Sequence, residues 1–269
     1  DYFLPVFRPD RILETNSLQS LSWVEEKYGC SIYGLEDVIM LIDKIIEERN
    51  IYGIKIGLAY SRDIFFEDTS YREAEESFLK VFKLNKSTSS QDTLSFSDIK
   101  PFQDYMVHYC IKKAIEFNLP VQVHTGLIES NLNDIRNSDP SYLAPLVTKY
   151  RDTRFDIFHA GYPYTGKLIA MIKMYPNCYF NLCWLAEVST KLYSNILDSI
   201  IEILPSNKIF GFGGDYMFVE GAYGAQKNAR SAISVVLYNR IRDGYFNFGE
   251  AVEFAEKILN KNPKQIYVD

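Results

Sequence analysis

Short apolar runs alternate along the chain with longer stretches in which apolar residues recur at helical spacing. The runs are bounded by polar, Gly or Pro positions, which is typical of buried strands. In the stretch 35–49, for example, Ile39, Ile42 and Ile46 fall on one helical face. The alternation of strands with helices predicts βαβα units and a parallel sheet, hence an α/β fold. Strands are predicted to begin near residues 2, 54, 120, 154, 178 and 208.

The helices are predicted from the same spacing and from the capping residues that precede them. Ser97 is the expected N-cap of a long helix that ends near Asn118. A polar loop is expected at 85–95. The other predicted helices cover 20–28, 35–49, 70–84, 142–150, 167–174, 189–203, 222–242 and 248–259.

Polar residues occur where several predicted strands end. His124 and His159 each close an apolar run, Asp215 follows the last predicted strand, and Lys55 lies within the strand near residue 54. In a β/α barrel the C-terminal ends of successive strands meet at one face, where catalytic residues collect. Two imidazoles, a carboxylate and an amine in such positions indicate a metal-assisted active site.

Each of these residues also has a purely structural interpretation. A histidine at a strand end can be a hydrogen-bonded core residue, and Asp215 could cap a following helix. Lys55 could reach solvent, although a buried lysine is costly unless it is paired or modified. Its functional alternatives are a Schiff-base amine, a carbamylated metal bridge and a partner for an anionic substrate. The repetition of the strand-end position favours the functional interpretation.

Composition narrows the range of functions. The 269 residues are 47% hydrophobic, which suits one large domain with a sizeable core, and the net charge is −6. No long basic run or membrane-length apolar stretch occurs, so a nucleic-acid or membrane partner is not expected. The four cysteines form no CxxC pair and are typical of a reduced, cytoplasmic protein. We expect a small-molecule substrate, and the sequence leaves open whether the chain forms a homo-oligomer.

Several motifs, in their order along the chain, resemble those of a known family. They are Gly53-Ile54-Lys55, VQVHTG at 121–126, FHAGYPYT at 158–165 and GGDY at 213–216. This order is similar to that of the amidohydrolase superfamily, in particular the nodulin/fluG-type domain of the amidohydrolase-2 branch. The resemblance implies a TIM-like (β/α)8 barrel and a divalent metal, with Zn expected and Mn, Fe or Ni as alternatives.

The resemblance also implies roles for individual residues. His124 matches the metal ligand of the fifth strand. His159 matches the sixth-strand histidine, which binds a second metal or polarises the substrate. Asp215 matches the eighth-strand aspartate, which binds metal and transfers a proton. Lys55 matches the fourth-strand lysine, which is carbamylated in some members.

Arg230 and Tyr162 match positions that recur in this branch, and we expect both to contact the substrate. The first strand of the family carries an HxH pair, which is absent from these 269 residues. The predicted strands therefore correspond to strands three to eight, and we interpret residues 1–269 as a single barrel domain that is incomplete at its N-terminus.

The expected activity is hydrolysis of an amide-type C–N bond by metal-activated water, with Asp215 and His159 as catalytic residues. One alternative is a lyase or isomerase on the same scaffold, such as a decarboxylase or a uronate isomerase. Another is a binding domain without catalytic activity that has lost the HxH pair.

Overall fold

The computed structural model describes residues 4–84 and 92–269. Five short strands form one parallel sheet whose spatial order is the chain order. The strands are β1 (Ile54–Ile56), β2 (Val121–Val123), β3 (Phe155–Ile157), β4 (Cys178–Asn181) and β5 (Ile209–Phe210). The predicted α/β class with a parallel sheet is therefore confirmed.

The strand predicted to begin near residue 2 does not form a regular strand within the described residues 4–7. Part of it lies outside the described residues, and the remainder forms only an isolated parallel bridge between Phe7 and Ile54. Pro5 and Pro9 flank this bridge. Proline has no N–H to donate to a ladder, so no regular strand forms here, although the carbonyl of Pro5 still accepts the N–H of Tyr52.

Helices lie before, between and after the strands. They are α1 (Asp10–Leu13), α2 (Leu18–Tyr28), α3 (Leu35–Glu48), α4 (Tyr71–Phe78), α5 (Phe96–Glu116), α6 (Ala144–Lys149), α7 (Thr165–Met174), α8 (Leu185–Val188), α9 (Thr190–Ile203), α10 (Val219–Arg242), α11 (Phe248–Glu256) and α12 (Asn262–Tyr267). No helix within residues 4–84 and 92–269 has both the length and the hydrophobicity of a membrane span.

Three helix predictions need correction. Ser95, and not Ser97, caps α5, because its hydroxyl accepts the N–H of Asp98 and satisfies one unpaired donor of the first turn. The helix predicted at 70–84 ends as an α-helix at Phe78 and continues as a 3₁₀-helix to Lys83. The loop predicted at 85–95 falls mainly on residues 85–91, which are outside the described part of the chain.

The third correction concerns the C-terminal segment, where α12 was not predicted. Its first residue, Asn262, is buried, and the Asn262 amide donates to the carbonyls of Ser206 and Ile209. These long-range hydrogen bonds fix a segment whose polar sequence gives little helical signal. A π-helical turn at Lys257–Lys261 joins α11 to α12.

The chain divides into two compact units. The first comprises residues 1–58 and 64–121, and the second comprises 59–63 and 122–269, so the division falls within β2. In the first unit, α3 buries an apolar face and β1 bonds to Phe7. In the second unit, Phe155, Phe180 and Phe210 from consecutive strands are fully buried and form the centre of the core.

Candidate active site

His124 follows β2 directly and is held in one orientation by the backbone. Its Nε2 lies 3.0 Å from the carbonyl oxygen of Leu127, and the side chain is 2% exposed. Because a carbonyl can only accept, Nε2 carries the proton of the neutral ring, and Nδ1 is left as the acceptor. Gly126, with φ +70°, makes the intervening turn.

His159 follows β3 after one residue and begins a left-handed turn. His159, Ala160 and Gly161 all have positive φ, at 63°, 52° and 58°. This conformation costs free energy for residues with a Cβ, and such strain occurs preferentially at functional sites. The buried ring has its Nδ1 3.1 Å from the carbonyl oxygen of Cys183, so Nδ1 donates and Nε2 is the acceptor.

The two acceptor nitrogens face each other. His159 Nε2 lies 3.1 Å from His124 Nδ1, and both rings are buried. Two lone pairs at this separation repel in a low-dielectric interior unless a positive group, either a proton or a metal cation, lies with them. The carbonyl bonds to the far side of each ring are the usual arrangement for histidines that bind a metal.

Asp215 adds a carboxylate to this pair. Its Oδ2 is 3.6 Å from His159 Nε2, and its side chain is 35% exposed while that of His159 is 1% exposed. Asp215 has φ +48°, another left-handed residue that has a Cβ. The carboxylate of Asp215 therefore lies between the buried ring of His159 and solvent.

Cys183 and Trp184, which follow β4, belong to the same cluster and were not predicted as site residues. His159, Cys183 and Asp215 each place one donor atom within 4.8 Å of the others, among the residues that the structure describes. The Trp184 ring lies edge-on to His159 at 5.7 Å, and the Tyr60 ring lies 4.8 Å from His124. The strand-end rule applied to β4 would have identified Cys183.

The structure thus brings His124, His159 and Asp215 together in the second unit. Lys55 lies half-buried in β1 of the first unit, where its backbone N–H donates to the carbonyl of Phe7. The role of its side chain at the site stays a prediction. Tyr162 lies in the turn after His159, and its backbone N–H donates to the carbonyl of that residue.

Arg230 lies elsewhere on the second unit. It is an exposed residue of α10, in a groove that Leu237, Phe248 and Val252 also line. Substrate contact by Arg230 and by Tyr162 therefore remains a prediction.

Glu187 in α8 is a second ionisable group near the end of β4. Both carboxylate oxygens are buried, and neither has a hydrogen-bond partner within residues 4–84 and 92–269. Burial raises the pKa of Glu187 to about 7. The folded protein therefore holds a proton on Glu187 that the unfolded chain loses near pH 4.5.

This difference predicts how stability depends on pH. A raised carboxyl pKa makes folding less favourable as pH rises from about 4.5 to about 7, because only the unfolded chain ionises freely in that range. Glu187→Gln should remove the penalty and raise Tm at pH 8 by about 2 °C, with little change at pH 4.5. Thermal melts at both pH values test this, and an equal effect at both would contradict the assigned pKa.

Comparison with known proteins identifies the family. The amidohydrolase family model matches residues 53–267. Protein fluG of Emericella nidulans is 27% identical over 233 residues, and a uronate isomerase of Caldanaerobacter subterraneus is 30% identical over 131 residues. These alignments cover 84% and 48% of the chain, and the chain spans 27% of the length of each relative.

A solved structure has the same fold. The uronate isomerase of Thermotoga maritima matches 98% of the chain and 61% of its own length, with a TM-score of 0.80 at 17% identity. The matched range contains the histidine pair, Asp215 and the strands that carry them. The resemblance inferred from the strand-end motifs is thereby confirmed: the chain belongs to the amidohydrolase family.

Proposed function

We propose that this chain carries the metal-binding and proton-transfer residues of a hydrolase that cleaves an amide-type C–N bond. The observation that supports this most is the pair of opposed acceptor nitrogens on His124 and His159, 3.1 Å apart, with Asp215 and Cys183 beside His159. Each ring is oriented from behind by a backbone carbonyl. Such a set is organised for a cation before any substrate arrives.

The donor set fits a divalent metal. Two nitrogens that are each ~2.0–2.1 Å from one zinc ion lie roughly 3 Å apart, close to the observed separation. His124, His159 and Asp215 would hold the ion, with Cys183 as an adjacent sulfur donor. Imidazole and thiol ligands favour Zn over Mg or Ca, so Zn is the proposed metal. When bound, such an ion lowers the pKa of a water molecule and so provides a nucleophile near neutral pH.

The hydrogen bonds assign different tasks to the residues. Because Nδ1 of His159 already donates to Cys183, Nε2 has no proton to offer a substrate carbonyl, which favours the ligand role over the polarising role. Asp215 is the partly exposed member of the cluster and can accept a proton from water and pass it to the leaving amine. Trp184 and Tyr60 cover the histidine rings and limit their contact with bulk water.

Uronate isomerisation is the second candidate. It is favoured by the 30% identity to the uronate isomerase of Caldanaerobacter subterraneus. In such a reaction Asp215 would move a proton between neighbouring carbons, and Arg230 or Lys55 would bind the substrate carboxylate. Incubation with D-glucuronate and with N-acyl amino acids separates the two candidates. Amine release supports hydrolysis, whereas a keto sugar formed without amine release supports the isomerase.

The metal proposal has a test that does not need the substrate. The chain contains only three histidines, so ¹⁵N-imidazole spectra of selectively labelled protein are simple to assign. Zn²⁺ added to chelator-treated protein should shift Nδ1 of His124 and Nε2 of His159. His108, in the middle of α5, is the internal control and should not shift. Unchanged spectra at millimolar Zn²⁺ would show that a proton, and not a metal, lies between the rings.

A further inference from the structure

A buried chain of polar side chains leads from the C-terminal helix to His159. Gln122, Asp156 and Asn181 come from three consecutive strands, and Tyr267 comes from α12. Asp156 is 1% exposed and Asn181 is 5% exposed. Polar groups are costly in these positions unless they are hydrogen-bonded, and this group is bonded throughout.

The carboxylate of Asp156 is the centre of the network. It accepts two hydrogen bonds from the Asn181 amide, at 2.9 and 3.0 Å, and one from the Tyr267 hydroxyl at 2.6 Å. Gln122 donates to the same hydroxyl at 2.9 Å. Burial and the nearby carboxylate of Asp156 raise the pKa of Tyr267 well above its usual value, so this phenol keeps its proton and remains a donor.

Asn181 connects the carboxylate of Asp156 with the backbone of the candidate site. With its amide group held by Asp156, its Oδ1 accepts the backbone N–H of Cys183 at 2.9 Å. The next peptide group is held as well, since the N–H of Trp184 donates to the carbonyl of Gly213 at 2.8 Å. The carbonyl of Cys183, between these two anchors, is the one that accepts the His159 ring.

We infer that Asp156, Asn181 and Tyr267 are positioning residues, which fix the tautomer and orientation of His159 through the backbone of Cys183. This inference rests on the proposed function, because the orientation matters only if Nε2 of His159 binds a cation. The network links α12 to the site through a chain of hydrogen bonds. Partners of metal-bound histidines typically change metal affinity by about 10- to 100-fold when they are altered.

Tyr267→Phe is the most selective test of the network, since it removes one hydroxyl group and keeps the ring. We expect the Zn²⁺ dissociation constant to rise about tenfold. The ¹⁵N spectrum of His159 without metal should change from a single tautomer to a mixture. Asp156→Asn removes the central carboxylate and should weaken Zn²⁺ binding further. If that variant does not fold, Tyr267→Phe alone decides the question.

Tyr109→Phe is the matched control. The Tyr109 hydroxyl also donates to a carboxylate, that of Asp43 at 2.7 Å, but it lies in the first unit and outside the network. A purely structural role predicts that Tyr267→Phe and Tyr109→Phe lower Tm alike and leave Zn²⁺ affinity and the His159 tautomer unchanged. That result would overturn the inference.

The outcomes also separate this inference from the proposed function. If Zn²⁺ fails to shift the His124 and His159 resonances of the unaltered protein, the proposed function fails and the inference fails with it. If Zn²⁺ shifts them in the unaltered protein and binds Tyr267→Phe equally well, with the same His159 tautomer, only the inference fails.

Discussion

Replacement of Asp215 by Asn should lower turnover by about 10²-fold or more, because the substitution keeps the shape of the side chain but removes the group that we propose accepts the proton. The substitution should add little backbone strain. Asp215 has φ +48°, and Asn is among the few residues that adopt this region readily. Rates should be measured on the substrate found by product analysis, together with the bound Zn²⁺ per chain.

The metal measurement decides how the result is understood. A large loss of rate with metal retained supports proton transfer by Asp215. Loss of both rate and metal shows that its main task is to hold the ion with His159. Near-normal turnover would remove Asp215 from the mechanism, and with it the support for metal-dependent hydrolysis.

Replacement of Gly126 by Ala should lower the stability of the protein strongly, by about 3 kcal/mol. Gly126 has φ +70°, and a Cβ at this position would lie 2.4 Å from the carbonyl oxygen of Tyr162 and 2.6 Å from the carbonyl carbon of Gly161. Both contacts are with backbone atoms, which cannot move aside as a flexible side chain can. The turn after His124 and the turn after His159 would have to separate.

Thermal unfolding tests this prediction. A fall in Tm of about 10 °C is expected for Gly126→Ala. Gly166→Ala is the control, because that position in α7 has no atom within 4 Å of an added Cβ and no positive φ. If both variants unfold at the temperature of the unaltered protein, the close approach of the two turns is wrong.

Local sequence pattern was enough to locate most of the strands and three residues of the candidate site. Short apolar runs that end at His124, His159 and Asp215 identify both the strand and the side chain that follows it. Because parallel strands present their carboxyl ends at one edge, adjacency of these residues follows from the order of the strands.

Features that depend on distant partners could not be predicted in this way. From its sequence, Asp156 looks like the solvent-facing polar position of a half-buried strand, but the structure buries it fully. Its burial is compensated by a hydrogen bond from Tyr267, which lies 111 residues further along the chain. Helix α12 has a polar sequence, and long-range bonds from Asn262 hold it in place. The strand-end position of Cys183 marks it as a candidate residue, but nothing in its immediate sequence shows that its carbonyl orients a histidine.

The left-handed residues at the strand ends have a consequence for how this protein can change over generations. His159, Trp184 and Asp215 each hold a conformation that glycine adopts without cost. Substitution by glycine at these positions would relieve strain while it removed the proposed ligand His159, the ring of Trp184 or the proposed base Asp215. Selection for stability and selection for activity therefore act in opposite directions at the same three codons. In homologues that are no longer selected for catalytic activity, we expect glycine to appear at these three positions before it appears elsewhere.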